Sequence, residues 1–189
     1  MELRLLSPET GISGLAQITV GHFWQWAYSD ILSNRNRGIF AEFIVASALG
    51  VTDKPRIEWN AIDIVYRGKK IEVKSSAYLQ NWQQSSLSKI SFQVGEKQSW
   101  IAESNSWLPA SERASDCYVF CIYSEQDPSK ADVLDISKWE FYLVATRLMN
   151  EKLKGQKTIG LNSLKKIALG PVPIGELKRS IDSVLQGSL

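Results

Sequence analysis

Between Ala61 and Lys74 the chain reads Ala-Ile-Asp-Ile-Val-Tyr-Arg-Gly-Lys-Lys-Ile-Glu-Val-Lys, a pattern that few folds accommodate. Ile62, Ile64 and Tyr66 alternate with Asp63 and Val65, while Ile71 and Val73 alternate with Glu72 and Lys74. This is the period-two signature of two strands that each turn one face to a core. Arg67-Gly68 at the pivot predicts a two-residue hairpin turn, with Gly68 taking the positive φ that such turns require. In that register Tyr66 faces Lys69 and Asp63 faces Glu72. Directly opposed side chains have Cβ atoms about 4.5–5.5 Å apart, and like charges there repel. The pair therefore calls for something positive, and a divalent cation fits. Mg²⁺ takes oxygen ligands at roughly 2.0–2.1 Å and is commonly held by one or two carboxylates. Lys74, two residues beyond Glu72, shares the same face. A three-residue loop would instead turn Asp63 and Glu72 to opposite faces unless a bulge restored the phase.

Upstream, the polar entry Ser33-Asn34-Arg35-Asn36-Arg37-Gly38 leads into an apolar run from Ile39 to Leu49 that ends at Gly50. A polar start and a terminal glycine bracket a helix of about three turns. Glu42 is the one charge in its interior. A buried carboxylate without compensation is costly and tends to stay protonated. A salt bridge to Arg35, Arg37 or a distant lysine would satisfy it, as would an exposed helix edge. Beside a hairpin that already presents two acids, the favoured reading makes Glu42 a third acid lining a metal site.

The remaining chain supplies elements rather than motifs. Residues 21–32 suggest a helix, and Ile57-Glu58-Trp59 a first strand ahead of the hairpin. Ser75 to Lys89 is polar and amide-rich, a solvated loop or short helix in which Tyr78 and Trp82 could stack or pack. Strands are expected at 90–94, 116–124, 139–144 and 157–161, and helical segments at 145–154, 162–168 and 174–185, the last with Lys178 and Arg179 outward. Residues 97–113 fit no single pattern.

At 189 residues, 44% hydrophobic and 22% charged, the chain has ordinary globular proportions and reads as one domain. A net charge of +2 permits a nucleic-acid partner without demanding one. Cys117 and Cys121 fall in an apolar strand pattern and read as reduced core residues; with a single histidine no zinc set can be assembled, and a His-based triad is disfavoured because its base would have to be His22, which reads as structural or incidental. No run reaches the ~18 apolar residues of a membrane span, and no signal-peptide pattern opens the chain, so a cytoplasmic protein is expected.

A helix carrying Glu42, a strand carrying Asp63, a turn, and a strand carrying Glu72-Val73-Lys74 together resemble the PD-(D/E)xK nuclease superfamily. Ile62 stands where the name-giving proline would be. The resemblance implies an α/β fold with a restriction-endonuclease-like α-β-β-β-α-β core, its mixed central sheet flanked by helices. That core would cover about 35–145, with an N-terminal helical extension over 1–34 and a C-terminal addition over 146–189. It implies a Mg²⁺- or Mn²⁺-dependent endonuclease, with DNA as the first candidate substrate and no membrane partner, and it is compatible with a homodimer. Asp63 and Glu72 would bind the metal with the Val73 backbone carbonyl, Glu42 would hold a second metal or a metal-bound water, and Lys74 would orient the attacking water. Arg35, Arg37, Ser75 and Gln80 would contact substrate phosphate. The alternative is a nucleic-acid-binding or assembly module that keeps this core without cleaving, its acids paired with basic residues.

Overall fold

The computed structural model describes residues 3–58, 60, 62–101 and 106–187. In chain order the elements are α1 (Val20–Tyr28), α2 (Asn34–Leu49), β1 (Ile64–Tyr66), β2 (Lys69–Ala77), β3 (Ser91–Gln93), β4 (Lys97–Ile101), β5 (Ser106–Glu112), β6 (Cys117–Tyr123), β7 (Trp139–Ala145), α3 (Thr146–Lys152), β8 (Thr158–Gly160), α4 (Leu161–Leu164), β9 (Leu169–Val172) and α5 (Leu177–Leu185). The protein is a mixed α/β protein. Its main sheet has five strands in the order β1-β2-β6-β7-β9, and β3-β8 and β4-β5 form two small sheets beside it. Within the main sheet β2 and β6 run parallel and every other pair antiparallel.

The sheet is covered on both faces, which is why β6 is buried at every position and reads as a continuous apolar run rather than an alternating one. On one face Ile71, Val73, Val119, Cys121, Phe141 and Leu143 pack with Ala41, Ile44, Val45 and Leu49 of α2 and with Leu177, Ile181 and Val184 of α5. On the other, Tyr118, Phe120, Ile122, Tyr142 and Val144 pack with Phe92, Ile159, Met149 and Leu164. Burial of both thiols pushes Cys117 up to about 12 and raises Cys121 as well, so neither is a thiolate at neutral pH.

Helix α2 starts earlier than its apolar run because Ser33 caps it, its side chain accepting from the Asn36 N–H at 3.4 Å. It ends at Gly50 in the left-handed conformation, with the Val51 N–H reaching back to the Ala46 carbonyl at 3.0 Å. Helix α1 is opened by Thr19, whose N–H donates to Nδ1 of His22 at 3.1 Å, a local capping role for the only histidine.

Several expected elements differ. Ile57 and Glu58 do not form a strand: they lie exposed in a turn closed by the Asn60 N–H on the Ile57 carbonyl, just after Pro55, and Trp59 lies outside the described residues. Residues 78–90 are irregular, held by Gln84, whose side chain serves the Gln80 N–H and the carbonyls of Tyr78 and Ser86. Among the described residues, the crossover from β2 to its parallel neighbour β6 contains no α-helix; it runs through β3 and the β4–β5 hairpin. The edge strand β9, which pairs with β7, has no signature in its Leu-Gly-Pro-Val sequence.

Candidate functional site

The hairpin turn spans two residues, and both adopt positive φ, Arg67 at 50° and Gly68 at 75°, the backbone of a type I′ turn. Tyr66 pairs with Lys69, Val65 with Lys70 and Ile64 with Ile71. Asp63, one residue before β1, therefore lies level with Glu72, as the turn length predicts. The β1 ladder ends at Ile64, and the Asp63 carboxylate takes over from it: its Oδ2 accepts the Val73 N–H at 2.7 Å. That bond anchors the acid to the backbone of the opposite strand.

Phase then separates β2 into two chemistries. Ile71, Val73 and Ala77 point toward α2 and α5. Glu72, Lys74 and Ser76 point to the other face, in register with Tyr118, Phe120 and Ile122 of β6. Glu72 is buried and Lys74 half-buried, and the two form an ion pair. Asp63 is half-buried, and its carboxyl is pushed up to about 6, by burial first and by the charge of Glu72 second. The Val73 N–H and Lys74 oppose that rise, while Glu42 adds to it. Burial and the same Glu72 charge raise the Tyr118 phenol. Two acids and one ammonium thus share one small face.

Glu42 approaches this edge from the helix side of the sheet. Its partner is neither Arg35 nor Arg37 but Arg56, whose Nε and Nη2 donate to the two carboxylate oxygens at 2.5 and 3.0 Å. A bidentate guanidinium is the strongest ordinary partner for a carboxylate. It satisfies an acid that is only 15% exposed.

The expected phosphate contacts divide. Arg37, Ser75 and Gln80 form one network: Arg37 Nε donates to Ser75 Oγ at 3.2 Å and Nη1 to Gln80 Oε1 at 3.5 Å. The same guanidinium donates to the Leu32 carbonyl at 2.9 Å and to Asn34 Oδ1 at 2.6 Å. Arg37 is buried, and burial lowers it to about 10, so it ties α2 to β2 from within. Arg35 is exposed and meets Glu58 at 3.6 Å, both side chains largely in solvent, a pairing worth little that leaves Arg35 available to a ligand.

Among the described residues no three acid, histidine or cysteine side chains converge as a metal-holding group. What the edge offers is a carboxylate pair, Asp63 and Glu72, whose hard oxygen donors suit Mg²⁺ or Mn²⁺. Asp63, held up to about 6 by burial first and by the charge of Glu72 second, is the state that a cation would relieve, so the residues present fit such an ion. Val73, whose carbonyl was expected to join them, engages Asp63 through its N–H. Arg56 and Tyr118 escaped the sequence reading. Arg56 stands in a loop with no periodicity, and its one signal is a basic residue soon after the helix that carries Glu42; Tyr118 is hidden in an all-apolar strand whose parallel register nothing in the sequence marks. No protein-family model matches the chain, and neither does any curated protein or solved structure.

Proposed function

We propose that this chain is a divalent-metal-dependent nuclease that hydrolyses phosphodiester bonds, with DNA as its first substrate, built on a variant of the PD-(D/E)xK, restriction-endonuclease-like core. The observation that carries the proposal is the hairpin register, which sets Asp63 level with Glu72 and puts Lys74 on the same face. The run of α2, β1, β2 and parallel β6 supports the core assignment. The missing strand at 57–58 and the β-rich crossover are departures from it.

In this reading Asp63 and Glu72 would hold a Mg²⁺ or Mn²⁺ ion together with the Val73 carbonyl, and Glu42 would hold a second metal or a metal-bound water. When bound, the ion supplies Lewis acidity to the phosphoryl group and a more acidic water. Lys74 is half-buried beside Glu72, and its ammonium stabilises negative charge developing on the phosphate and favours hydroxide nearby. Arg56 fixes Glu42 through its two hydrogen bonds. Arg35 offers an exposed cation to the phosphate backbone, while Arg37 positions Ser75 and Gln80.

A second reading has its own observation. Glu42 and Glu72 are each bonded to a basic side chain, Arg56 and Lys74, as in a binding or assembly module that keeps the core without cleaving. Cleavage assays on duplex, single-stranded and branched DNA and on RNA, with Mg²⁺ or Mn²⁺, separate the two. The nuclease reading expects cutting that Glu72→Ala and Lys74→Ala each reduce by at least about 100-fold, within the range for losing a charge-stabilising group. Nucleic-acid binding without cutting under any metal favours the module, and cutting that survives both substitutions removes the assigned site.

A further inference from the structure

None of the residues of α1 is buried, although its sequence is Val-Gly-His-Phe-Trp-Gln-Trp-Ala-Tyr. Trp26 is 85% exposed, and Leu5, Leu15, Phe23, Trp24 and Tyr28 are exposed with it. The segment is nevertheless one ordered unit. The Gly21 N–H donates to the Pro8 carbonyl at 2.8 Å and the Val20 N–H to the Thr10 carbonyl at 2.9 Å. Gly21 is needed there, since a Cβ would sit 2.9 Å from that Pro8 oxygen. Phe23 meets Tyr28 edge to face, ring centres 6.4 Å apart. So the chain spends backbone order on holding apolar side chains out in water.

We infer that this N-terminal extension is the surface through which two copies of the chain associate. The inference rests on the extension itself and stands apart from the nuclease reading. Aromatic side chains offer about 150–250 Å² each, so the exposed parts of those six residues come to on the order of 700 Å². Summed over the extension, that is close to the ~800 Å² that each partner gives to a standard interface. Charge decides the kind of partner. From Leu3 to Ser33 the only Asp, Glu, Lys or Arg residues are Arg4, Glu9 and Asp30. A nucleic-acid backbone or an anionic lipid surface selects lysine and arginine, which this surface nearly lacks. An apolar extension with almost no charge can be brought against itself by a two-fold axis with no like-charge contact.

The extension is also joined to the candidate site. Asp30 accepts from the Asn81 side chain in the loop after β2, and the Leu32 carbonyl accepts from Arg37, which in turn holds Ser75 on β2. Association at α1 would brace the strand that carries Glu72 and Lys74.

Sedimentation equilibrium of the full chain over about 1–100 μM tests this, that range bracketing an ordinary dimer affinity. The expected mass at the upper end is twice the chain's 21.2 kDa, and the doubly substituted Phe23→Asp, Trp26→Asp chain should associate at least about 100-fold more weakly, as for loss of central aromatic anchors. A parent that stays monomeric throughout overturns the inference, whether or not it binds lipid vesicles. So does a dimer that the two substitutions leave intact. Should the variant fail to fold, hydrogen exchange of the parent decides: α1 amides should exchange more slowly in the concentrated sample, and equal exchange at both concentrations overturns the proposal.

Discussion

Strands β2 and β6 lie side by side in parallel, and on the face away from α2 their side chains match position for position: Glu72 with Tyr118, Lys74 with Phe120, Ser76 with Ile122. The same sheet geometry carries opposite chemistry on the two strands. On β6 each of the three side chains is buried in an apolar cluster that includes Phe92 and Tyr142. On β2, one strand spacing away, an acid and an ammonium are removed from water beside a second acid. A strand selected only for packing would avoid that, because desolvating charges costs more than apolar residues of similar volume would. The difference between the strands marks where the fold gives up stability.

The largest effect expected from breaking this comparison is on the apolar strand. Phe120 is fully buried and packs edge to face on Phe92, ring centres 4.9 Å apart. Phe120→Ala should cost about 3–5 kcal/mol in denaturant unfolding. Phe120 lies beside Lys74 but brings no charge or polar group to the ion pair, so any response to divalent metal should survive in whatever fraction stays folded.

Next comes the charged strand. Removing the Lys74 ammonium from beside a buried Glu72 should destabilise by about 3 kcal/mol, measured as Lys74→Met by the same unfolding curves. The double change Glu72→Gln with Lys74→Met should recover most of that loss, since a buried pair is often replaceable as a pair. A double variant no better than the single one would mean that Lys74 packs rather than neutralises.

A smaller effect has the opposite sign. The Asp63 carboxyl is held up to about 6, against 3.8 ordinarily, by burial and by Glu72. A raised carboxyl means that the folded state prefers the protonated form. The stabilising protonation is complete below about 3.8 and is lost as pH rises through about 6. At pH 7 without metal, Asp63→Asn should therefore be more stable than the parent, by on the order of 2 kcal/mol. The gap should close as pH falls from 7 to 4, read as the difference between the two melting profiles. A constant gap would mean that Asp63 does not carry the strain.

Smallest is the turn. Gly68 at φ 75° has no atom near a would-be Cβ, so Gly68→Ala should cost only the left-handed backbone penalty, about 1 kcal/mol. Thermal melting would register it, and a much larger loss would point to a shifted register that moves Asp63 off Glu72.

How far the sequence carries one to this site follows from what kind of order each part has. The hairpin was legible because a two-residue turn leaves one register, and α2 because Ser33 and Gly50 punctuate it. Strand β6 was legible as a buried strand from its unbroken apolar run. Its register against β2 was not, because parallel neighbours are joined by a long crossover whose geometry no local signal records. That hid Tyr118 behind Glu72. The Arg56 partnership of Glu42 was hidden for a related reason: loop 51–58 has no period from which to read a direction. Of the strand expected at 57–59, residues 57 and 58 do not form one, where Pro55 and the exposed Ile57 deny it a neighbour. In the 97–113 stretch, alternation was too irregular to declare the β4–β5 hairpin, whose register itself shifts between Gln98 and Trp100.

The central claim is that Asp63 and Glu72 form a site for one divalent cation. Its most direct measurement is a thermal-melt titration with Mn²⁺ of the parent, Asp63→Asn and Glu72→Gln at pH 7. The parent should be stabilised as the ion saturates it, by about 2.7 kcal/mol at 100 times the dissociation constant, while each variant loses that response and Asp63→Asn starts from a higher melting point. A parent whose melting point ignores Mn²⁺, or variants that respond to it as the parent does, would contradict the account.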